Sequence, residues 1–216
     1  MLKTAAYKKF KELILNGSLS PGNMFSQREL CERMGVSLAP LRDALQELSN
    51  EGLVEQIPKR GIRITNINNR FIEESCEIRK YLELGACRDV ILKKKDAELS
   101  GIRIEMERII LFSEEGITKE LLQAAEKADG QFHVNLVKST QNGLLINFHE
   151  RVYDRIKIIK KNIRYSPREM VPLMRTHIEI ITMIENHDLH PALDLLETHL
   201  NESMHNFLGE PIGKEI

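Results

Sequence analysis

A chain of 216 residues with 42% hydrophobic and 29% charged side chains has enough apolar surface to fold without staples, as one large domain or, the expectation here, two small ones. No apolar run approaches the roughly 20 residues of a membrane span, and Cys31, Cys76 and Cys87 form no CxxC pair, which leaves buried thiols rather than a zinc finger or disulfide framework. The formal net charge of −1 argues against bulk affinity for nucleic acid but hides an asymmetry: residues 1–69 carry ten Lys/Arg against seven Asp/Glu, the remainder carry 21 against 25, and all seven histidines lie at or after position 133.

The opening "MLKTAAYKKFKELIL" reads as an amphipathic helix without the apolar core and small-residue cleavage site of a secretory signal, which places the protein in the cytoplasm. It ends at Asn16-Gly17, and "LSPGNMF" follows as a Pro-Gly turn. Ser26 and Glu29 have capping-box spacing and open a short helix stopped by Gly35. Ser37 is placed to cap a third helix with Leu41, Leu45 and Leu48 on its inner face and Gly52 as terminator. "LVEQI", "PKRG" and "IRI" then make a hairpin with a basic tip. Two short helices meeting at a tight "MGVS" turn, flanked by a first helix and a hairpin, form a winged helix-turn-helix over residues 1–65. In that geometry the helix from Leu38 enters the DNA major groove by its N-terminal end. Arg42, off the leucine face, is placed to read a guanine edge or a phosphate, and Arg28, Lys59, Arg60 and Arg63 to neutralise phosphates. Singly, such charges suit any solvated surface; their joint placement is what points to DNA.

Residues 66–70 form a short Asn-rich linker, and residues 71–210 read as helical throughout. About six segments fall near 70–94, 96–114, 117–140, 143–164, 168–186 and 189–208, an antiparallel bundle. The fold class is therefore mainly α, an N-terminal winged helix-turn-helix followed by an all-α bundle. The first segment is expected to bury Phe71, Ile78, Leu82 and Gly85. In the third, Leu122, Ala125, Asp129, Phe132 and Leu136 follow steps of three and four, so Asp129 falls on a core stripe with His133 one turn beyond it. His177 stands among Met170, Leu173, Met174, Ile180, Ile181 and Ile184, and His199 lies one turn past Leu195 and Leu196. A bare carboxylate in a bundle core costs several kcal/mol unless it is paired, hydrogen-bonded or bound to a metal. The nearest partners are imidazoles, and neutral imidazoles with a carboxylate are donors for zinc, nickel or manganese; the alternative is an Asp–His hydrogen bond with no metal. His149, on the fourth helix, is a rival placed to line the same cavity, whereas His187, His190 and His205 read as surface residues.

The run "GSLSPGNMFSQRELCERMGVSLAPLRDALQELSNEGLVEQIPKRG" resembles the DNA-binding domain of GntR-type transcriptional regulators, a likeness covering nearly all of residues 5–64. The resemblance implies that Arg28 and Arg42 contact DNA, that Ser37 and Leu38 stand at the tip of the reading helix, and that Gly61 is the wing-turn glycine. Leu38 departs from the family, which usually has an arginine there; either the operator differs from the usual one or affinity rests more on the wing. Residues 72–208 resemble the all-helical FCD effector domain, whose mark is D-x-x-x-H followed by one histidine on each of two later helices, matched here by Asp129, His133, His177 and His199. In that family the four hold a divalent metal, and the metal helps hold a small carboxylate effector. "EIRKYLELGA" is similar to the family's opening helix, whose arginine, here Arg79, faces the pocket; the alternative is a surface pair with Glu83. Asn142 in "TQNGLL" matches a family asparagine that touches ligand or caps a helix. Arg79, Asn142 and His149 are thus the expected effector contacts. Together these features imply a ligand-responsive repressor that binds double-stranded, pseudo-palindromic DNA as a homodimer, with zinc as the first choice of metal. The competing readings are a metal-dependent enzyme, since the same ligands serve hydrolases and oxygenases, and a DNA-binding regulator whose metal is purely structural.

Overall fold

The computed structural model describes residues 2–95, 99–162 and 167–209. The helix limits expected at residue 96 and at 163–164, and the domain end at 210, lie outside the described residues. Helix α1 (Leu2–Leu15) ends at the predicted Asn16-Gly17, where Gly17 takes a positive φ of 79°. Helix α2 (Gln27–Met34) starts at a full capping box: Ser26 Oγ accepts from Glu29 N at 3.1 Å and Glu29 Oε2 accepts from Ser26 N at 2.6 Å. Gly35, in the left-handed region, stops it. Helix α3 (Leu38–Asn50) buries Leu41, Leu45 and Leu48 as expected, but Ser37, although at the N-cap position, makes no side-chain cap bond.

The wing has one strand more than the two read from the sequence. Strand β1 (Met24–Phe25) lies inside the stretch taken as a turn, and it pairs antiparallel with β3 (Gly61–Ile64), which also pairs with β2 (Val54–Ile57), in the order β1-β3-β2. Two residues are too few to display alternation, so only the distant partner defines this strand. Its close approach explains Gly61, which has a φ of 117°: a Cβ there would stand 2.5 Å from Phe25 O.

Helix α4 (Asn69–Leu92) begins within the predicted linker, because Asn68 caps it by accepting from Phe71 N at 2.8 Å. Helices α5 (Ser100–Ser113), α6 (Lys119–Lys138), α7 (Gly143–Asn162), α8 (Met170–Glu185, entered through a 3-10 turn at Pro167–Glu169) and α9 (Leu189–Gly209) complete the bundle. None of the described helices is long and apolar enough to cross a membrane.

The expected face of α4 is wrong. Phe71 is buried, but Ile78 is 42% exposed, Leu82 is half-buried and Gly85 is exposed. The buried face instead runs through Ile72, Ser75, Cys76, Arg79, Glu83, Ala86, Cys87 and Val90. The expected stripe was read from apolar residues alone; Arg79 and Glu83 neutralise each other across one turn at 2.8 Å, and the helix presents that pair to the core.

Two apolar clusters organise the chain. One joins α1, α2, α3 and the wing to Phe71, Ile72, Tyr153, Ile156, Ile159 and Phe207 of the bundle. The other fills the far part of the bundle, from Ala86 and Met106 to Ile180 and Leu200. At the seam between arm and bundle, Lys11 of α1 bonds Glu51 at 2.9 Å and Asp154 of α7 at 2.6 Å, so a cation holds the two regions together where the apolar contact ends. Cys76 and Cys87 are buried free thiols, pushed up to about 11 and about 12 by burial, whereas Cys31 is half-buried.

Candidate metal centre and DNA-reading head

The three- and four-residue steps of α6 bring Asp129 and His133 to one buried face, and Thr118 fixes that helix's start by accepting from Leu121 N at 3.2 Å. Midway along the face, Gly130 leaves room for α7: a Cβ there would lie 3.2 Å from Tyr153 Oη. Helices α8 and α9 deliver His177 and His199. All four side chains are buried, at 3%, 0%, 0% and 4% exposure in chain order.

They converge. His177 Nε2 lies 3.1 Å from His199 Nε2, and Asp129 Oδ1 lies 3.7 Å from His133 Nε2 and 3.8 Å from His177 Nε2. One ring nitrogen from each of the three histidines falls within 4.8 Å of the others. Donors around one zinc-class ion at about 2.0–2.2 Å stand roughly 3–4 Å apart, the scale of these separations.

Behind the histidines lies Glu83, which the sequence reading named only in the alternative of a surface pair with Arg79. It is fully buried, and it accepts from His133 Nδ1 at 2.7 Å, His149 Nε2 at 3.0 Å and Arg79 Nε at 2.8 Å. Burial alone would raise its carboxyl, but the charge of Arg79 and the contacts with His133 and His149 outweigh it and hold Glu83 well below the usual carboxylate range. An ionised carboxylate only accepts, so His133 carries a proton on Nδ1, and in the neutral ring Nε2 keeps a bare lone pair. That Nε2 is buried without a hydrogen-bond partner. A carboxylate orienting one imidazole nitrogen so that the other faces a shared point is the second layer of a metal site.

The remaining electrostatics agree. Burial pushes His177 well down, helped by its histidine neighbours, and burial followed by His133 and Arg79 pushes His199 down to about 3; both rings are neutral near pH 7 and free to donate lone pairs. For Asp129, burial would raise the carboxyl, but Lys160 and His133 hold it well below its ordinary value. Asp129 therefore points Oδ1 at the histidines while Oδ2 is paired with Lys160 of α7. The donors, their protonation and the orphaned Nε2 fit a divalent cation.

Of the three expected effector contacts, Arg79 and His149 meet at Glu83 behind the histidines, and Asn142 lies apart. Arg79 is buried, its Nε donating to Glu83 Oε1 at 2.8 Å and its Nη2 without a hydrogen-bond partner, so the surface alternative fails. His149 is also spent on Glu83 and stacks on Tyr153 at 5.6 Å between centroids. Asn142 is exposed and caps α7, its Oδ1 accepting from Leu144 N and Leu145 N at 3.2 Å each. Lys160 was not singled out at all; its only sequence signal is a lysine on the strip of α7 that carries His149 and Tyr153, eleven and seven residues after them. His187, His190 and His205 are exposed, as read.

In the arm, Arg42 stands exposed on α3 with Nε 3.3 Å from Gln27 Oε1 at the start of α2. Arg28 is exposed beside Glu32 at 3.0 Å. Lys59 and Arg60 form the exposed wing tip, with Lys59 at a φ of 62°. Arg63, expected on phosphate, pairs across the hairpin with Glu55 at 2.6 Å. Ser37 and Leu38 are exposed at the tip of α3, Leu38 at 41%.

Two family models match the chain: "Bacterial regulatory proteins, gntR family" over residues 2–64 and "FCD domain" over residues 74–202. The HTH-type transcriptional regulator YdhC of Bacillus subtilis is 27% identical over 213 residues, which cover 97% of this chain and 92% of YdhC. Among solved structures, Escherichia coli McbR/YncC superposes with a TM-score of 0.74 at 17% identity, over 96% of this chain and 97% of that one. The zinc-bound FCD domain of TM0439 superposes with a TM-score of 0.53 at 22% identity, over 66% of this chain and 94% of that domain. At these identities the two structures establish a shared fold.

Proposed function

The chain belongs to the GntR family of bacterial regulatory proteins and carries an FCD domain, so it is a DNA-binding transcriptional regulator; from that premise we propose a metal-dependent, ligand-responsive repressor that works in the cytoplasm as a homodimer on a pseudo-palindromic operator. The family is one of regulators, which removes the enzyme reading. We take residues 1–65 as the DNA-binding domain, 66–70 as the linker and 71–210 as the sensing domain.

The observation that carries the metal half is the buried, unpartnered Nε2 of His133, facing a point shared with His177 Nε2 and Asp129 Oδ1. Asp129, His133, His177 and His199 would hold the ion. When bound, a zinc-class cation supplies charge and open positions for an anionic ligand; zinc is preferred, with nickel and manganese as alternatives, and the zinc-bound FCD neighbour supports that choice. Glu83 orients His133, and Lys160 orients Asp129.

In the DNA half, Arg42 reads a base, and Arg28, Lys59 and Arg60 hold phosphates. Leu38 and Ala39, both exposed at the start of α3, offer methyl groups where an arginine would offer donors. Such a surface matches the 5-methyl group of thymine in the major groove. Two arms are needed for tight half-site reading. The outward stripe of α4, with Ile78, Tyr81 and Leu92 exposed and Gly85 among them, suits the second copy.

Elemental assay of tag-free protein tests the metal, and a paired substitution tests the division of labour. Arg42→Ala is expected to abolish operator binding with metal content unchanged, and His177→Ala to lose metal while the arm still binds DNA. Loss of both properties in both variants would overturn the separation. A metal that stays bound while no small acid changes stability or DNA affinity would leave it purely structural.

A further inference from the structure

Only residues 65–68 separate β3 from α4, and that segment is pinned along its length: Thr65 N donates to Leu53 O at 3.1 Å, Ile67 is 4% exposed in the arm's apolar cluster, and Asn68 caps α4. The arm is therefore no module on a loose tether. Helix α7 holds it at three further places. Lys11 of α1 donates to Tyr7 Oη at 2.7 Å and to Glu51 Oε2 at 2.9 Å, and it pairs with Asp154 of α7 at 2.6 Å. Those acceptors use all three donors of an ammonium. Burial alone would lower the pKa of Lys11, but the bonds to Asp154, Tyr7 and Glu51 outweigh it and raise it above its ordinary value. Beside Asp154, Arg155 donates from Nε to Ser75 Oγ at 2.8 Å, and its Nη1 lies 2.8 Å from where a Cβ on Gly52 would stand. Lys161 packs likewise on Gly17, with its Cε 2.9 Å from a Cβ there. Gly17 and Gly52 follow the last turns of α1 and α3, so each cation stands near the negative end of a helix dipole.

The same contacts fix the reading helix. Leu38 and Arg42 lie exposed toward the N-terminal end of α3, while Glu51, the C-cap residue at its other end, is bound by Lys11. Helix α3 is thus anchored at one end and presents the other. In a dimer whose two arms are anchored in this way, the distance and angle between the reading ends are set by how the bundles pair. Two further base pairs between half-sites move them apart by about 7 Å and turn them by about 70°, a mismatch that a loose arm can follow and a docked one cannot. We propose that Lys11 and Asp154 are specificity-determining residues for the operator: by docking each arm on its own bundle they confine the pair of arms to one half-site spacing. The inference rests on the homodimer reading above and adds what fixes the operator's geometry.

The test uses full-length protein and a half-site that the wild type selects from random double-stranded DNA, placed singly and in inverted pairs with spacers of increasing length, with binding followed by fluorescence anisotropy. Wild type should prefer one spacing by about tenfold or more over spacings two base pairs away, the loss of simultaneous engagement. Lys11→Gln and Asp154→Asn should bind the single half-site as wild type does and flatten the spacing preference to within about threefold. A wild type that accepts all spacings alike, or a sharp preference kept in either variant, would overturn the proposal. So would a parallel loss of affinity for single and paired half-sites in both variants, which marks a merely structural role. Sedimentation of the wild-type complex separates the two readings. One chain on one half-site would strike the homodimer reading itself, whereas two chains with a permissive spacing would strike the docking inference alone.

Discussion

Among the described residues the winged arm keeps the charges of its DNA-reading candidates in water, with Arg28, Arg42, Lys59 and Arg60 exposed over a core of Phe10, Leu30, Leu41, Leu45 and Ile62. The bundle does the opposite: Arg79, Glu83, Asp129, His133, His149, His177 and His199 are each 4% exposed or less. A surface charge contributes little to stability and is free to meet a partner such as a phosphate. A buried charge survives only through its neighbours, so the bundle's polar groups come as a set. Losing one member of that set should therefore damage the bundle far more than losing a charge damages the arm.

The largest expected effect is at Glu83. Glu83→Ala strips His133, His149 and Arg79 of their common acceptor and should cost about 3–5 kcal/mol in urea unfolding. Arg42→Ala, in the same measurement, should stay within about 0.5 kcal/mol. Equal losses in the two variants would erase the contrast between the regions.

Acid should find the bundle next. His199, pushed down to about 3 in the folded chain, has an ordinary value near 6.5 once unfolded. Below about pH 6.5 the unfolded state binds the extra proton first, so this contribution to stability is complete above that pH and fades as pH falls toward about 3. Metal-free protein should lose about 2 kcal/mol between pH 6.5 and 5 from this one ring, with His177 acting in the same direction. Hydrogen exchange should place the loss in α6, α8 and α9. A pH-independent stability across that range would mean that the imidazoles are not held neutral by the fold.

The smallest expected effect belongs to Leu38. Replacing thymine by deoxyuridine at the operator position under α3 removes one methyl, and wild-type affinity should fall about fourfold, the contribution of one buried methyl. Leu38→Ala should be indifferent to the change, and Leu38→Arg should select guanine from a random library. An operator selected by wild type without thymine at that position would contradict the assignment.

Much of the arm was legible because its signals are local. The Ser26–Glu29 box, the left-handed Gly35 and the Leu41, Leu45, Leu48 stripe each depend on residues within a few positions of one another, and the structure shows them as read. The same locality exposed Asp129 and His133, whose apolar flanks mark the stripe. It failed at α4, where the stripe was read through Phe71, Ile78, Leu82 and Gly85 while Arg79 and Glu83 occupy the buried spacing. It failed also at β1, and it could not show the Arg63–Glu55 pair or the Glu83 partner of Arg79 and His149, since each of these is decided by which groups lie within bonding reach in the folded chain.

By itself, the sequence determined the helices, the Ser26–Glu29 cap, the winged helix and the four polar residues turned toward a common interior. Only the tertiary structure decided that Glu83 stands behind His133, that Arg79 is sealed on Glu83, and that Lys160 faces the cavity beside Asp129. The physical reason is that backbone periodicity is set by neighbours along the chain, whereas the cost of burying a charge is settled by groups arriving from other helices, and no single helix carries that information.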